Sequence, residues 1–286
     1  MNKNCFEKES VDGNRPIHAF THLGGYMKKV ISIVICVVLA LLMTVSIFMI
    51  ARHYSEAKKA ADAYSDMLDF VATEGADETE STEPSETEGT EPDTNSETEP
   101  AQEELSITVD FDQLLAQYPN AVAWLYCGGT SINYPVMQSD DNDYYLRRLP
   151  DGTYNTAGSL FADYRCGEIG ETNNYIIYGH NMKNGTMFSS LTKYKSQSYY
   201  DEHPVLYLYT PEGDYRIELI AGFVSKPTGE VYNTNQTYEQ ILKYRSNSTF
   251  RSDVHPCEGD CYISLSTCSY EYENARYVVI GRLEEI

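Results

Sequence analysis

The sequence predicts a mainly β protein: a closed or nearly closed barrel with an N-terminal helix and an additional helix ahead of a cysteine-bearing strand, carried behind one membrane helix. Three observations lead there. From Ala121 onward, short runs rich in Val, Ile, Tyr and Phe recur between Gly, Pro and Asn turn signals, a spacing that suits a barrel better than an α/β sheet. Helical periodicity within that region is confined to brief stretches. Residues 30–51 form a continuous apolar run softened only by Ser32, Thr44 and Ser46.

Taken in order, residues 1–29 are mixed and polar with no strong periodicity, and read as a flexible tail. Val30 to Ala51 is 22 residues long. As a helix it measures about 33 Å at 1.5 Å per residue, enough to cross a bilayer core. Its length and the long polar region before it argue against a cleaved signal peptide. Within Glu56–Val71, the residues Tyr64, Met67, Leu68 and Val71 fall near helical spacing, so the membrane helix is expected to extend as a short amphipathic stalk. Ala72 to Glu104 is dominated by Thr, Ser, Glu, Pro and Gly. Such a segment lacks apolar surface to offset ordering, and its like charges repel, so residues 52–104 read as stalk and acidic disordered linker.

The folded domain is expected over residues 105–286. Asp110 caps a short amphipathic helix that Pro119 stops. Strands follow at Ala121–Tyr126, Ile132–Val136, Gly158–Ala162, Asn174–Tyr178, Val205–Thr210, Tyr215–Val224, Cys261–Thr267 and Arg276–Leu283. Two helices interrupt them. One covers Met187–Tyr194; the other runs from an N-cap at Thr237, with Tyr238, Ile241, Leu242 and Arg245 at three-to-four spacing.

Charge narrows the function classes. The chain carries 43 acidic and 21 basic residues, a formal net charge of −22. Seventeen of the carboxylates lie between Glu56 and Glu104, and from Leu105 onward 23 acidic face 13 basic residues. No basic stripe is available, so a nucleic-acid partner is excluded. Seven cysteines, at 5, 36, 127, 166, 257, 261 and 268, leave at least one unpaired. Cys257 and Cys261 are near enough for a small disulfide, while no second close pair completes a zinc pattern, and no metal or other cofactor is expected.

The chemistry concentrates near the C-terminus. The run Tyr262-Ile-Ser-Leu-Ser-Thr-Cys268 brings a thiol to a strand end, a seven-residue connection turns, and Arg276 opens the next apolar strand. If those strands pair antiparallel, Cys268 and Arg276 are neighbours, and the guanidinium fork can hold a substrate oxyanion. The block Tyr175-Ile-Ile-Tyr-Gly-His180-Asn-Met-Lys-Asn-Gly185 sets an imidazole at another strand end. A thiolate that attacks a carbonyl and an imidazole that protonates the leaving amine split amide exchange into two easier steps. His203 and His255 each directly precede a proline and are weaker candidates.

The Leu265-Ser-Thr-Cys268 signature with Arg276, together with the His180 block, resembles sortases, the cysteine transpeptidases of Gram-positive surfaces, and in particular their class B. The likeness extends over roughly Leu105–Leu283, through Asn133-Tyr-Pro-Val136, Asp141–Leu146 and Phe161-Ala-Asp-Tyr-Arg165. It implies a sortase-like barrel with His180, Cys268 and Arg276 as catalytic residues, and Asn142, Leu146, Ser266 and Thr267 against the substrate. Ser269 replaces the acidic residue that follows the cysteine in some members.

The resemblance further implies cleavage of a C-terminal sorting signal after threonine on surface proteins, and resolution of a thioester by an amine of peptidoglycan or its lipid-linked precursor. It implies a cytoplasmic N-terminus and an extracellular catalytic domain on a membrane-lipid anchor. Charge alone does not decide orientation, because Arg15, Lys28 and Lys29 on one side nearly balance Arg52, Lys58 and Lys59 on the other. The alternatives are a membrane-tethered, non-catalytic binding or scaffolding barrel, and a pilin-polymerising enzyme whose nucleophile is a lysine of another pilin.

Overall fold

In chain order, the computed structural model describes residues 18–73 and 107–286, with side chains of the first helix described from Met27. That helix, α1 (His18–Met67), is continuous, so its first turns occupy residues expected to be tail. Residues 1–17 of that tail, and the acidic stretch 74–106, lie outside the described residues. The apolar side chains of Val30–Ile50 are exposed, and this helix is long and apolar enough to cross a membrane.

The chain divides into two units, Met1–Ser55 and Glu56–Ile286, so the last part of α1 belongs with the barrel. The folded domain expected from Leu105 onward lies within this second unit, together with these helical turns. The reason is burial: Ala60 and Met67 are out of solvent, and Tyr64 donates its hydroxyl to the Gly158 carbonyl at 2.7 Å. After a 3₁₀ turn at Leu68–Phe70, β1 (Val71–Thr73) pairs antiparallel with β2 (Ile107–Val109). Residues read as the end of the stalk and the start of the linker are therefore a strand.

Asp110 caps α2 (Phe111–Gln117), its carboxylate accepting from the Gln113 amide at 2.9 Å. Eight strands then close a barrel. They are β3 (Ala121–Tyr126), β4 (Asn133–Met137), β5 (Leu160–Ala162), β6 (Asn174–Tyr178), β7 (Val205–Tyr209), β8 (Asp214–Ser225), β9 (Tyr262–Cys268) and β10 (Arg276–Glu285). The order around the barrel is β10-β8-β7-β3-β4-β5-β6-β9, antiparallel except for the parallel pairs β4–β5 and β6–β9. The expected strands are all present, with ends shifted by one or two residues.

Alternation along β3 separates two cores. Ala123 and Leu125 join Val136, Leu160, Ile176, Leu206, Leu219, Leu265 and Val279 inside the barrel. Trp124, between them, faces the other way and joins Met67, Ile107, Leu114 and Tyr145 under α2 and the end of α1. Its indole N–H donates to Asn133 Oδ1 at 2.7 Å, satisfying a buried polar group.

Between β6 and β7 lie a 3₁₀ helix, Phe188–Lys195, and α3 (Gln197–Glu202), the latter not anticipated. Ahead of β9 stands α4 (Tyr238–Ser246). Thr237 and Gln240 form a reciprocal capping box at its start, as the N-cap reading of Thr237 requires.

Candidate active site

The β9–β10 register sets the first pair of side chains. Cys268 and Arg276 are direct cross-strand partners at the end of this ladder, as the turn between them predicted. The connecting loop is closed by the Ser269 N–H donating to Ala275 O at 2.9 Å, with Asn274 at φ +61°. Arg276 Nη1 donates to the carbonyls of Asn274 and Ala275, at 3.1 and 3.2 Å. Cys268 and Arg276 are both half-buried, within reach of a ligand.

The third residue comes from the parallel neighbour. Tyr178, the last residue of β6, pairs with Ser266 on β9, and His180, two residues past the strand end, lines the same cleft as Cys268. Gly179 makes this exit possible. A Cβ there would lie 2.4 Å from Leu160 Cδ2 and 2.7 Å from Phe188 Cδ2, inside contact distance. The Gly179 N–H donates to Ser266 O (3.1 Å), and its carbonyl accepts from Thr267 Oγ1 (2.8 Å). Asn181 Nδ2 donates to the Cys268 carbonyl at 2.9 Å, fastening the histidine loop to the cysteine.

The imidazole is also fixed in sense. His180 Nε2 lies 2.7 Å from the Leu146 carbonyl. A carbonyl only accepts, so Nε2 carries a proton and Nδ1 is the nitrogen left to exchange one.

One cleft of about 510 Å³ is lined by all seven residues expected from the sequence: Asn142, Leu146, His180, Ser266, Thr267, Cys268 and Arg276. Their side chains differ in what they leave free. Ser266 and Thr267 are buried, and the Ser266 hydroxyl is paired with Tyr232 OH at 2.9 Å. Asn142 donates to Asp163 Oδ2 (3.0 Å) and accepts from the Tyr164 N–H (3.1 Å), so its amide is anchored on both sides.

Three cleft residues, Asn142, Arg165 and Tyr178, converge on the buried Asp163 in a polar network that the sequence reading did not assign. Asp163 accepts from Arg165 Nε (2.8 Å) and Nη2 (2.6 Å), from Tyr178 OH (2.9 Å) and from Asn142. Burial by itself raises the Asp163 pKa, but the Arg165 fork and the Tyr178 hydroxyl outweigh it and hold the carboxyl below its ordinary range. The Asp-x-Arg spacing in Phe161–Arg165 was the available signal. Beside it, the Tyr178 and Tyr232 rings stack at 6.1 Å.

The remaining thiols contrast with Cys268. Cys127 and Cys166 are buried in the barrel, where desolvation raises both pKa values, that of Cys166 to about 11. Among the described residues all the cysteines are free, Cys257 and Cys261 included, so the small disulfide their spacing permits is not formed.

A strand-end thiol, a register-matched arginine and a histidine just past the end of the parallel neighbouring strand thus line one cleft of a closed barrel. The Sortase domain family matches residues 125–284. Sortase B of Listeria monocytogenes is 37% identical over 171 residues, spanning 57% of this chain and 69% of that one. Sortase B of Staphylococcus aureus is 30% identical over 183 residues, spanning 62% and 75%. A solved Staphylococcus aureus sortase B–substrate complex superposes with a TM-score of 0.58 at 29% identity, covering 62% of this chain and 85% of that one, and another crystal structure of Staphylococcus aureus sortase B gives the same TM-score and identity, covering 62% and 87%. The chain belongs to the sortase family, in its class B, and with it to the cysteine transpeptidases that anchor proteins to the cell wall.

Proposed function

We propose that this protein cleaves a C-terminal sorting signal after threonine and joins the surface protein to a cell-wall amine through a thioester on Cys268. The observation that carries this reading is that Cys268 and Arg276, cross-strand partners on β9 and β10, line one cleft with His180.

The Cys268 thiolate attacks the threonine carbonyl carbon, forming the C–S bond and an oxyanion. The Arg276 guanidinium stabilises that oxyanion as it forms. As the C–N bond breaks, protonated His180 delivers its Nδ1 proton to the leaving amine. An amine of peptidoglycan or its lipid-linked precursor then attacks the thioester, gives a proton to His180, and releases the thiolate. Asn142 and Leu146 line the groove for the sorting peptide, with Ser266 and Thr267 beneath it. The one helix among the described residues that is long and apolar enough to cross a membrane fits a membrane anchor, and the reading adds a cytoplasmic N-terminus and an extracellular barrel. Its partners are surface proteins bearing the signal, the cell-wall amine and membrane lipid.

Intact-mass analysis after rapid mixing with a sorting peptide tests this. The wild-type chain is expected to gain the acyl mass at Cys268, and Cys268→Ala to gain none. A productive adduct mapped to Cys257 or Cys261, or an active Cys268→Ala protein, would overturn it.

A further inference from the structure

The last three turns of α1 reach the histidine by two routes. In the first, Tyr64 donates its hydroxyl to the Gly158 carbonyl at 2.7 Å. Gly158, at φ +60°, lies so close to the preceding connection that a Cβ would sit 2.5 Å from the Leu146 carbonyl oxygen. That oxygen is the acceptor of His180 Nε2. In the second, the Tyr64 ring meets Tyr134 edge-on at 5.1 Å, and Tyr134 OH accepts from the Met187 N–H at 3.2 Å. Met187 closes the histidine loop by bridging to Asn181, and it does so at φ +56°, a conformation that a non-glycine residue holds only under support.

Apolar contacts run in parallel with the hydrogen bonds. Ala60 is buried with Leu149 and Ala157, and Ala63, Tyr64 and Met182 pack against the same cluster. Met182 lies two residues beyond His180. Asn155 Nδ2 donates to the Glu56 carbonyl at 2.8 Å, fixing the beginning of the segment as Tyr64 fixes its middle. Burial raises the Tyr64 pKa well above its ordinary value, so the phenol remains a donor throughout the working range of pH.

We propose that Glu56–Met67, acting through Tyr64, is a positioning element for His180, setting both the Leu146 carbonyl that orients the imidazole and the loop that carries it. The proposal rests on the reading of His180 as the proton-transfer group. Because the element is the C-terminal part of the helix that contains the apolar span, the catalytic geometry is built partly from the anchor helix itself.

The test uses the full chain in detergent, with Tyr64→Phe, Tyr64→Ala and His180→Ala compared for peptide turnover, for urea unfolding and, in the two Tyr64 variants, for the ring ¹⁵N resonances of His180. Tyr64→Phe keeps the ring and loses only the donor; kcat is expected to fall about three- to tenfold, the worth of one neutral hydrogen bond. Tyr64→Ala is expected to lose on the order of 10²-fold in kcat, the scale of an ångström-level misplacement. In both, KM changes little and the His180 resonances move while unfolding stays cooperative. Unchanged kcat and unchanged resonances in both Tyr64 variants, beside an inactive His180→Ala, would overturn the proposal alone. Wild-type turnover in His180→Ala would instead overturn the role assigned to the histidine.

Discussion

The two sides of the cleft are held in different ways. Cys268 and Arg276 sit on adjacent antiparallel strands, and the β9–β10 ladder from Arg282↔Tyr262 to Arg276↔Cys268 fixes their separation. His180 has already left β6, and its ring is oriented by a carbonyl 34 residues away in sequence. Backbone register therefore sets one side, and contacts between loops set the other. The first is a property of local pairing and tolerates change nearby; the second depends on several distant elements agreeing.

The comparison is broken most severely at the loop-held side. His180→Ala is expected to lose about 10³-fold in transpeptidation, within the range for a positioned acid–base group. His203→Ala and His255→Ala should retain most turnover, since neither lines the cleft. Initial rates at matched folded concentration measure this, and equal rates for wild type and His180→Ala would remove the distinction between the two sides.

Arg276→Lys sharpens the other side. An ammonium keeps the charge but not the planar fork, so acylation is expected to slow by roughly 10²-fold, the scale of a lost oxyanion donor. The register should survive, so the urea midpoint should stay near wild type; single-turnover acylation by rapid-quench mass analysis provides the rate.

The smallest effect is expected where the registered side carries an additional fastening. Lys195, at the end of the 3₁₀ helix, pairs with Glu271 and donates to Ser269 Oγ at 3.2 Å, linking that helix to the β9–β10 loop. Lys195 holds the Glu271 carboxyl at about 2, below its ordinary 4.5, with Ser269 assisting. A lowered native pKa contributes stability above pH 4.5 that is lost as pH falls toward 2. Both side chains are more than a third exposed, at 39% and 36%, so Lys195→Met should cost under about 1 kcal/mol at neutral pH and nothing near pH 2. Urea titrations at several pH values measure the difference, and turnover should change little if register alone holds Cys268 and Arg276.

What could be read from the sequence follows the same division. The strands, the α4 cap and the Cys268–Arg276 pairing were legible because each depends on near neighbours: a turn, an alternation, a cap residue. Docking of Glu56–Met67 was not. Ala60, Tyr64 and Met67 have the same helical spacing whether they face solvent on a stalk or a barrel wall, and only tertiary contact with Gly158, Tyr134 and Trp124's cluster distinguishes these. The parallel β6–β9 pairing was likewise invisible locally, although it puts the strands that lead to His180 and Cys268 side by side. Asp163 and Arg165 lie in the Phe161–Arg165 stretch, but their bond to each other says nothing about a cleft until Tyr178 and Asn142 converge on the same carboxylate.

That parallel pairing also governs when the site comes into being during folding. The hydrogen bond from Thr267 to Gly179 joins positions 88 residues apart, and β9 enters the barrel between β6 and β10, which follows it in the chain. Closing so long a loop is slow and is rewarded only when the final strands arrive. A chain still emerging from synthesis therefore has the histidine strand but not yet the strand that carries Cys268, and the cleft that both line is complete only at barrel closure.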